Sequence, residues 1–394
     1  MRELIEPSQS ARRRSPRGPV VIWNLVRRCN LLCKHCYSIS GDVDFPGELS
    51  TEEVFAVMDD LRAFGVPSLI LSGGEPLLRR DIFAISKRAR ALGFYTGLSS
   101  NGTLIDKDTV GAIADVGYDY VGVSLDGMRE THDRFRRREG AFDAALAGLR
   151  LCRSYGIRTG MRFTMTNDNA GELPKLLDLM DDEGIEKFYL SHLVYAGRGN
   201  KNRGDDAHRA ETRDRMAMLF ERALQSVIAG DGKEFVTGNN DADGVWLYLW
   251  ARERYPENAE LLRSKLEAWG GNSTGVNIAN IDNLGNVHPD TMWSNHTLGN
   301  VRQRPFSEIW TDLSDPILAG LRMRPRPLEG RCGGCRHLVI CGGNTRVRAL
   351  QLTGNPWAED PACYLTDAEV GDRLAGSRVE LTPFRSRSRV AALT

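Results

Sequence analysis

The sequence predicts an α/β protein, an open (β/α)6 partial barrel followed by a small cysteine-bearing domain. Three observations carry this. Between residues 20 and 192, six apolar strands alternate with amphipathic helices. Three thiols, Cys29, Cys33 and Cys36, directly follow the first of those strands. From residue 276 the texture changes to a hairpin and short elements, ending in a second cysteine group at 332–363. Strands and helices joined by short loops specify a parallel sheet, and right-handed crossovers curl it.

Residues 1–18 are polar, bear Arg and Pro, and read as a flexible extension. Their arginines read either as a solvated tail or as a contact for an acidic substrate. Residues 20–25 form a buried strand from which the cysteine loop hangs. Ser50-Thr51-Glu52-Glu53 is a capping box, and Val54, Val57, Met58, Leu61 and Phe64 follow at helical spacing. Strands at 68–72, 95–99, 120–125 and 159–166 precede helices at 81–92, 106–116, 141–155 and 171–183, and the strand 187–192 closes a barrel spanning 19–210. Residues 195–203 read as a loop at its open face. Helices at 211–228 and 244–267 make a helical linker region of 211–274. Residues 276–282 and 286–289 alternate around Asn283-Leu284-Gly285, a hairpin signal that opens a domain over 275–368. The Ser- and Arg-bearing stretch 369–394 reads as a disordered tail.

Composition removes several function classes. The chain of 394 residues carries 52 basic and 52 acidic side chains, so no net field draws it to nucleic acid or an anionic membrane. No apolar run approaches the roughly 20 residues that span a bilayer, and no signal peptide is evident, so the expected compartment is the cytoplasm. The eight cysteines divide into three, four and a lone Cys152, which suggests two metal sites and one ordinary thiol.

C-x3-C-x2-C can hold three corners of a [4Fe–4S] cube and leave the fourth iron open. Structural zinc wants four protein ligands, usually paired C-x2-C units. Ser72-Gly73-Gly74-Glu75-Pro76 ends the second strand, Ser99-Ser100-Asn101-Gly102 the third and Ser124-Leu125-Asp126-Gly127 the fourth. These are the strand ends where ligands gather in parallel sheets. Arg162, flanked by Met161 and Phe163, faces either solvent or the barrel interior. Cys332, Cys335, Cys341 and Cys363 supply four thiols for one metal, and their chemistry alone admits zinc or iron–sulfur.

The cysteine motif, with His35 where an aromatic is usual, resembles the signature of radical S-adenosylmethionine (SAM) enzymes, whose fold is the partial barrel. The resemblance implies that Cys29, Cys33 and Cys36 hold a [4Fe–4S] cluster whose open iron chelates SAM. It also implies that His35, Gly73, Gly74, Glu75, Ser99, Asn101, Ser124 and Arg162 contact SAM. The C-terminal part resembles a SPASM/twitch-like extension. There Asp290 stands where a cysteine usually follows the hairpin, so one of the two usual auxiliary clusters is expected to be missing. Cys332, Cys335, Cys341 and Cys363 match the ligands of the other, a second [4Fe–4S] cluster.

Stretches at 188–193, 196–203, 235–244 and 341–346 extend the likeness to the haem d1 biosynthesis branch of this family. That branch removes propionates from the tetrapyrrole didecarboxysirohaem, with electrons from an external reductant such as flavodoxin or ferredoxin. On this resemblance Arg198, Lys201 and Arg203 are candidates for the substrate carboxylates, against a merely solvated loop. His192, His208, His288 and His296 are candidates for its iron or for polar contact. A related haem-pathway decarboxylase, a peptide-modifying SPASM enzyme and an iron–sulfur electron carrier are the alternatives.

Overall fold

The computed structural model describes residues 18–371, with Met1, Leu4 and the backbone of Thr382–Pro383. The extension read at 1–18 and the tail read at 369–394 lie almost entirely outside the described residues. Strands β1 (Val20–Asn24), β2 (Ser68–Ser72), β3 (Tyr95–Ser100), β4 (Tyr120–Ser124), β5 (Thr159–Met165) and β6 (Lys187–His192) fall where the sequence puts them. Each pairs in parallel with the next, as βαβ crossovers require.

The sheet does not stop at six strands. β7 (Glu234–Gly238) adds in parallel to β6, inside the stretch read as helical only. Its half-exposed edge position gives no apolar alternation to read. On the other side of β1 lies β8 (Ile278–Ile281), also parallel, followed antiparallel by β9 (Asn286–His288) and β10 (Gly299–Asn300). The predicted hairpin therefore extends the barrel sheet.

The helices cover the strands. α1 (Thr51–Phe64) starts at the expected capping box, with Glu53 N donating to Ser50 Oγ and Ser50 N to Glu53 Oε2. α2 (Ile82–Ala91) and α3 (Val110–Val116) follow. An unforeseen helix, α4 (Arg129–Arg136), precedes α5 (Ala141–Ser154) and α6 (Leu173–Asp182). Part of the loop after β6 is helical, α7 (Gly197–Lys201). α8 (Arg209–Ala229) is followed by α9 (Ala242–Arg254) and α10 (Pro256–Trp269). The single helix expected at 244–267 breaks at Tyr255-Pro256, because proline offers no N–H to the preceding turn. One apolar cluster runs from Val21 and Trp23 through Phe163 and Phe188 to Ile340 and Tyr364, so barrel and C-terminal segment share a core. Among the described residues no helix is long and apolar enough to cross a membrane.

Candidate active site at the carboxyl ends of the strands

The cysteine loop leaves β1 and folds back over the sheet. Cys29 and Cys33 are buried and Cys36 is partly buried, and all three pack in one small cluster with Leu31. Burial pushes the Cys29 thiol up to about 12 and raises Cys33 as well. Cys36 differs: burial opposes ionisation, yet the hydrogen bond with Ser38 and the nearby Arg198 charge hold its thiol below the ordinary value. Three sulfurs gathered in so dry a place become thiolates together only against positive charge, as an iron–sulfur cluster supplies. The donor set fits a cluster bound by three thiolates.

The Gly-Gly-Glu-Pro turn serves this loop directly. A Cβ on Gly73 would stand 2.3 Å from the Val26 carbonyl oxygen, and one on Gly74 2.2 Å from that of Arg28. Only glycine lets the two chains close, and Gly74 N then donates to Val26 O at 2.6 Å and Glu75 N to Arg28 O at 2.9 Å. Glu75 is fully buried. Its carboxylate accepts from Leu77 N, Ser100 Oγ and Asn101 N at 3.2, 2.9 and 2.7 Å. Burial nevertheless pushes its pKa up to about 7, against those three bonds. Glu75 thus ties the β2 turn to the end of β3. Asn101 continues the link, its Nδ2 donating to Asn30 Oδ1 at 2.8 Å within the cysteine loop.

Arg162 points into the barrel, not to solvent. Its Nη1 donates to Ser99 Oγ and its guanidinium lies 5.2 Å from the Tyr189 ring centre. Ser124 is its register partner on β4. Tyr37, just past the thiols, donates to Asn24 Oδ1 at 3.2 Å. His35 stacks on Phe135 with ring centres 4.7 Å apart, and its buried Nδ1 has no partner. Burial lowers its pKa to about 4, so the ring is neutral at physiological pH.

Sequence reasoning missed one member of this site. Arg136, buried at the end of α4, donates from Nη1 to Cys33 Sγ at 3.4 Å and forms an ion pair with Asp126. Asp126 Oδ1 also accepts from Thr164 N at 2.8 Å. Arg136 lies in the basic run 134–138, whose obvious reading is a solvated face, and no local signal marks it out.

Residues 23–180 match the Radical SAM superfamily. The chain is 57% identical over 384 residues to the Pre-heme d1 synthase of Dinoroseobacter shibae, covering 97% of this chain and 95% of that protein. The chain belongs to the radical SAM superfamily. The Fe-coproporphyrin III synthase of Methanosarcina barkeri is 46% identical over 369 residues, 93% of this chain and 92% of its own length. In fold, the chain matches the crystal structure of Streptococcus suis SuiB bound to S-adenosylmethionine, with TM-score 0.68 and 19% identity over 89% of this chain and 78% of the other. As a radical SAM enzyme the protein uses SAM and a [4Fe–4S] cluster.

A second group of thiols lies outside the radical SAM site. Cys332, Cys335, Cys341 and Cys363 line one small apolar cavity of about 30 Å³ with Leu338, Leu365 and Val370. N–H groups point at three of the sulfurs: Arg331 Nη1 at Cys363 (3.1 Å), Asp360 N at Cys332 (3.3 Å) and His337 N at Cys335 (3.4 Å). Burial raises the Cys341 thiol far above its ordinary value, with the charges of Asp241 and the other thiols adding to it. Four sulfurs, three of them facing N–H donors, suit a fully ligated cluster. Asp290 is buried elsewhere in the core, accepting from Met292 N at 2.7 Å and from Thr274 Oγ1.

The residues expected at the substrate fall into two groups. Lys201 and Arg203 are exposed after β6, with Arg203 reaching only Asn200 within its own loop. Arg198 is not free at the mouth: its Nε and Nη1 donate to the carbonyls of Cys33 and Ser40, each at 2.8 Å. His192 is buried against Asp243 at 3.0 Å, and His296 meets Asp315 at 3.0 Å. Both ring nitrogens of the buried His288 are engaged, by the His296 carbonyl and by Asp282. His208 is exposed at the start of α8 and lines a polar cavity with Tyr195 and Asp206. The structure does not gather the four histidines around one point.

Proposed function

We propose that this enzyme removes propionate side chains from didecarboxysirohaem in the formation of haem d1. The observation that carries the reading is the 57% identity to a Pre-heme d1 synthase across 97% of the chain, which spans both thiol groups. A [4Fe–4S] cluster with SAM bound would supply, on gaining one electron, the radical chemistry that opens a propionate C–H bond. In this reading Cys29, Cys33 and Cys36 hold the cluster, and Gly73, Gly74 and Glu75 brace the loop that carries them. Arg162 meets the SAM carboxylate as a charge-assisted donor, while Ser99, Asn101 and Ser124 face the ribose and His35 the adenosine. Lys201 and Arg203 hold substrate carboxylates at the mouth, with Arg198 fixing the loop beneath them. Cys332, Cys335, Cys341 and Cys363 would hold a second [4Fe–4S] cluster, which would supply a one-electron acceptor for the reaction. An external one-electron carrier, a flavodoxin or ferredoxin, feeds the first cluster.

Anaerobic incubation of cluster-loaded enzyme with SAM, reductant and didecarboxysirohaem, read by product mass, tests this. Formation of 5′-deoxyadenosine with loss of the propionates is expected. The 46% identity to an Fe-coproporphyrin III synthase favours a second reading, a haem-pathway decarboxylase. Loss of carbon dioxide alone from the side chains would select it.

A further inference from the structure

Arg136 is a full guanidinium with 7% exposure, brought by α4 to the buried thiol of Cys33. It comes from 103 residues beyond Cys33 in sequence, donates directly to that sulfur at 3.4 Å, and is held in place by fully buried Asp126. Burying an ion pair is costly, and a helix end can be anchored by apolar contacts at no such cost. The pair is aimed at the sulfur. A cation and an N–H···S bond at a cluster thiolate stabilise the reduced, more negative state, and such outer contacts set cluster potentials.

We infer that Arg136 is a positioning residue that raises the reduction potential of the cluster held by Cys29, Cys33 and Cys36, with Asp126 as the counter-charge that limits the effect. This rests on the assignment of those three thiols as cluster ligands. The step concerned is the gain of one electron by the oxidised cluster from a one-electron donor; no bond forms or breaks in it.

The test is a redox titration of the holoenzyme, following the paramagnetic signal of the reduced cluster that SAM perturbs. That SAM-sensitive signal must vanish in the Cys29→Ala/Cys33→Ala/Cys36→Ala variant; its survival there sinks the ligand assignment and the role of Arg136 with it, whereas loss of the signal there together with unmoved potentials in the Arg136 and Asp126 variants sinks the role of Arg136 alone. Arg136→Gln is expected to lower the potential so that the reduced-to-oxidised ratio at a fixed applied potential falls about tenfold, ~59 mV for a one-electron couple. Asp126→Asn is expected to shift it the opposite way. Arg136→Lys, which keeps the charge, is expected to lie between the parent and the Gln variant. Opposite shifts support the inference. Potentials that stay put, or move the same way in the Gln and Asn variants, overturn it. Should Arg136→Gln fail to load iron, Asp126→Asn decides alone: an upward shift supports and any other result refutes.

Discussion

The Nε of Arg198 donates to the carbonyl oxygen of Cys33 at 2.8 Å, joining residues 165 positions apart. The same guanidinium donates from Nη1 to Ser40 O at 2.8 Å, and the Arg198 backbone N–H donates to Cys36 O at 2.8 Å. One residue after β6 therefore braces the cysteine loop at three carbonyls. Arg198→Ala leaves two of them without a donor, at about 1–3 kcal/mol each where they are buried. The variant is expected to bind less iron and to cleave less SAM even without tetrapyrrole. Arg198→Lys recovers part of the loss, since one ammonium does not reproduce the planar fork. Substrate-free 5′-deoxyadenosine formation at the parent rate would return Arg198 to the role of a carboxylate contact.

Replacing Cys29, Cys33 and Cys36 together by alanine is expected to remove about half the bound iron and all SAM cleavage, because a cluster held by four thiols at the proposed second site would leave no iron open. Metal analysis and chromatography of the reaction check both halves of the statement. Undiminished 5′-deoxyadenosine would falsify the ligand assignment.

What could be read in the chain beforehand follows from where the signal is local. The six barrel strands carry their apolar pattern within five to seven residues each, and the capping box at Ser50 announces α1 in four. The grouping of Cys29, Cys33 and Cys36 is legible because the three lie within eight residues of one loop. Arg136 and Arg198 were not, since what defines each is a partner 103 or 165 residues away. Arg198 was expected as a carboxylate contact at the mouth because Gly, Asn and basic residues together read as a loop at the open face. The edge strand β7 was missed for a related reason: all five of its residues are only half-buried, so no face stands out.

Glu75 makes a prediction in pH. Its folded-state pKa, about 7, lies above the ordinary 4.5, so folding favours the protonated form. The stability this group contributes is present in full below about 4.5 and is lost as pH rises to about 7, a change of roughly 3 kcal/mol at most. Glu75→Gln, neutral throughout, lacks that slope. The stability difference between parent and variant, measured anaerobically at pH 5 and pH 8, is expected to move against the parent at the higher pH. An infrared carboxylic-acid band present in the parent at pH 5 and missing in Glu75→Gln should titrate away near 7. A difference independent of pH would mean the three donors outweigh burial.

Alanine at Cys332, Cys335, Cys341 and Cys363 is expected to spare SAM binding at the other cluster while blocking complete turnover. The three N–H groups aimed at these sulfurs fit thiolates under a full set of iron ligands. Iron should fall by about half, with 5′-deoxyadenosine still formed. Zinc in the anaerobically prepared parent at this site would rule out its role as an electron acceptor.

The last prediction concerns the mouth of the barrel. With Arg198 committed to the cysteine loop, Lys201 and Arg203 remain as exposed cations on the segment after β6. Arg203 is held only by two long contacts to Asn200, at 3.3 Å each, so turning it toward a ligand gives up little. A carboxylate bound by a charge-assisted hydrogen bond contributes roughly 1.5–3 kcal/mol. Arg203→Ala is therefore expected to weaken didecarboxysirohaem binding by about tenfold to a hundredfold. Lys201→Ala should cost less, because a flexible, strongly hydrated ammonium binds a carboxylate at one point. Iron content and substrate-free SAM cleavage should match the parent in both, which separates them from Arg198→Ala. The absorbance change of the tetrapyrrole on titration measures the affinity, and raising the salt should narrow the gap between parent and variants. Affinity within twofold of the parent in the double variant would show that this segment is a solvated connection, and the carboxylate contacts would then have to come from the barrel interior, where Arg162 already lies.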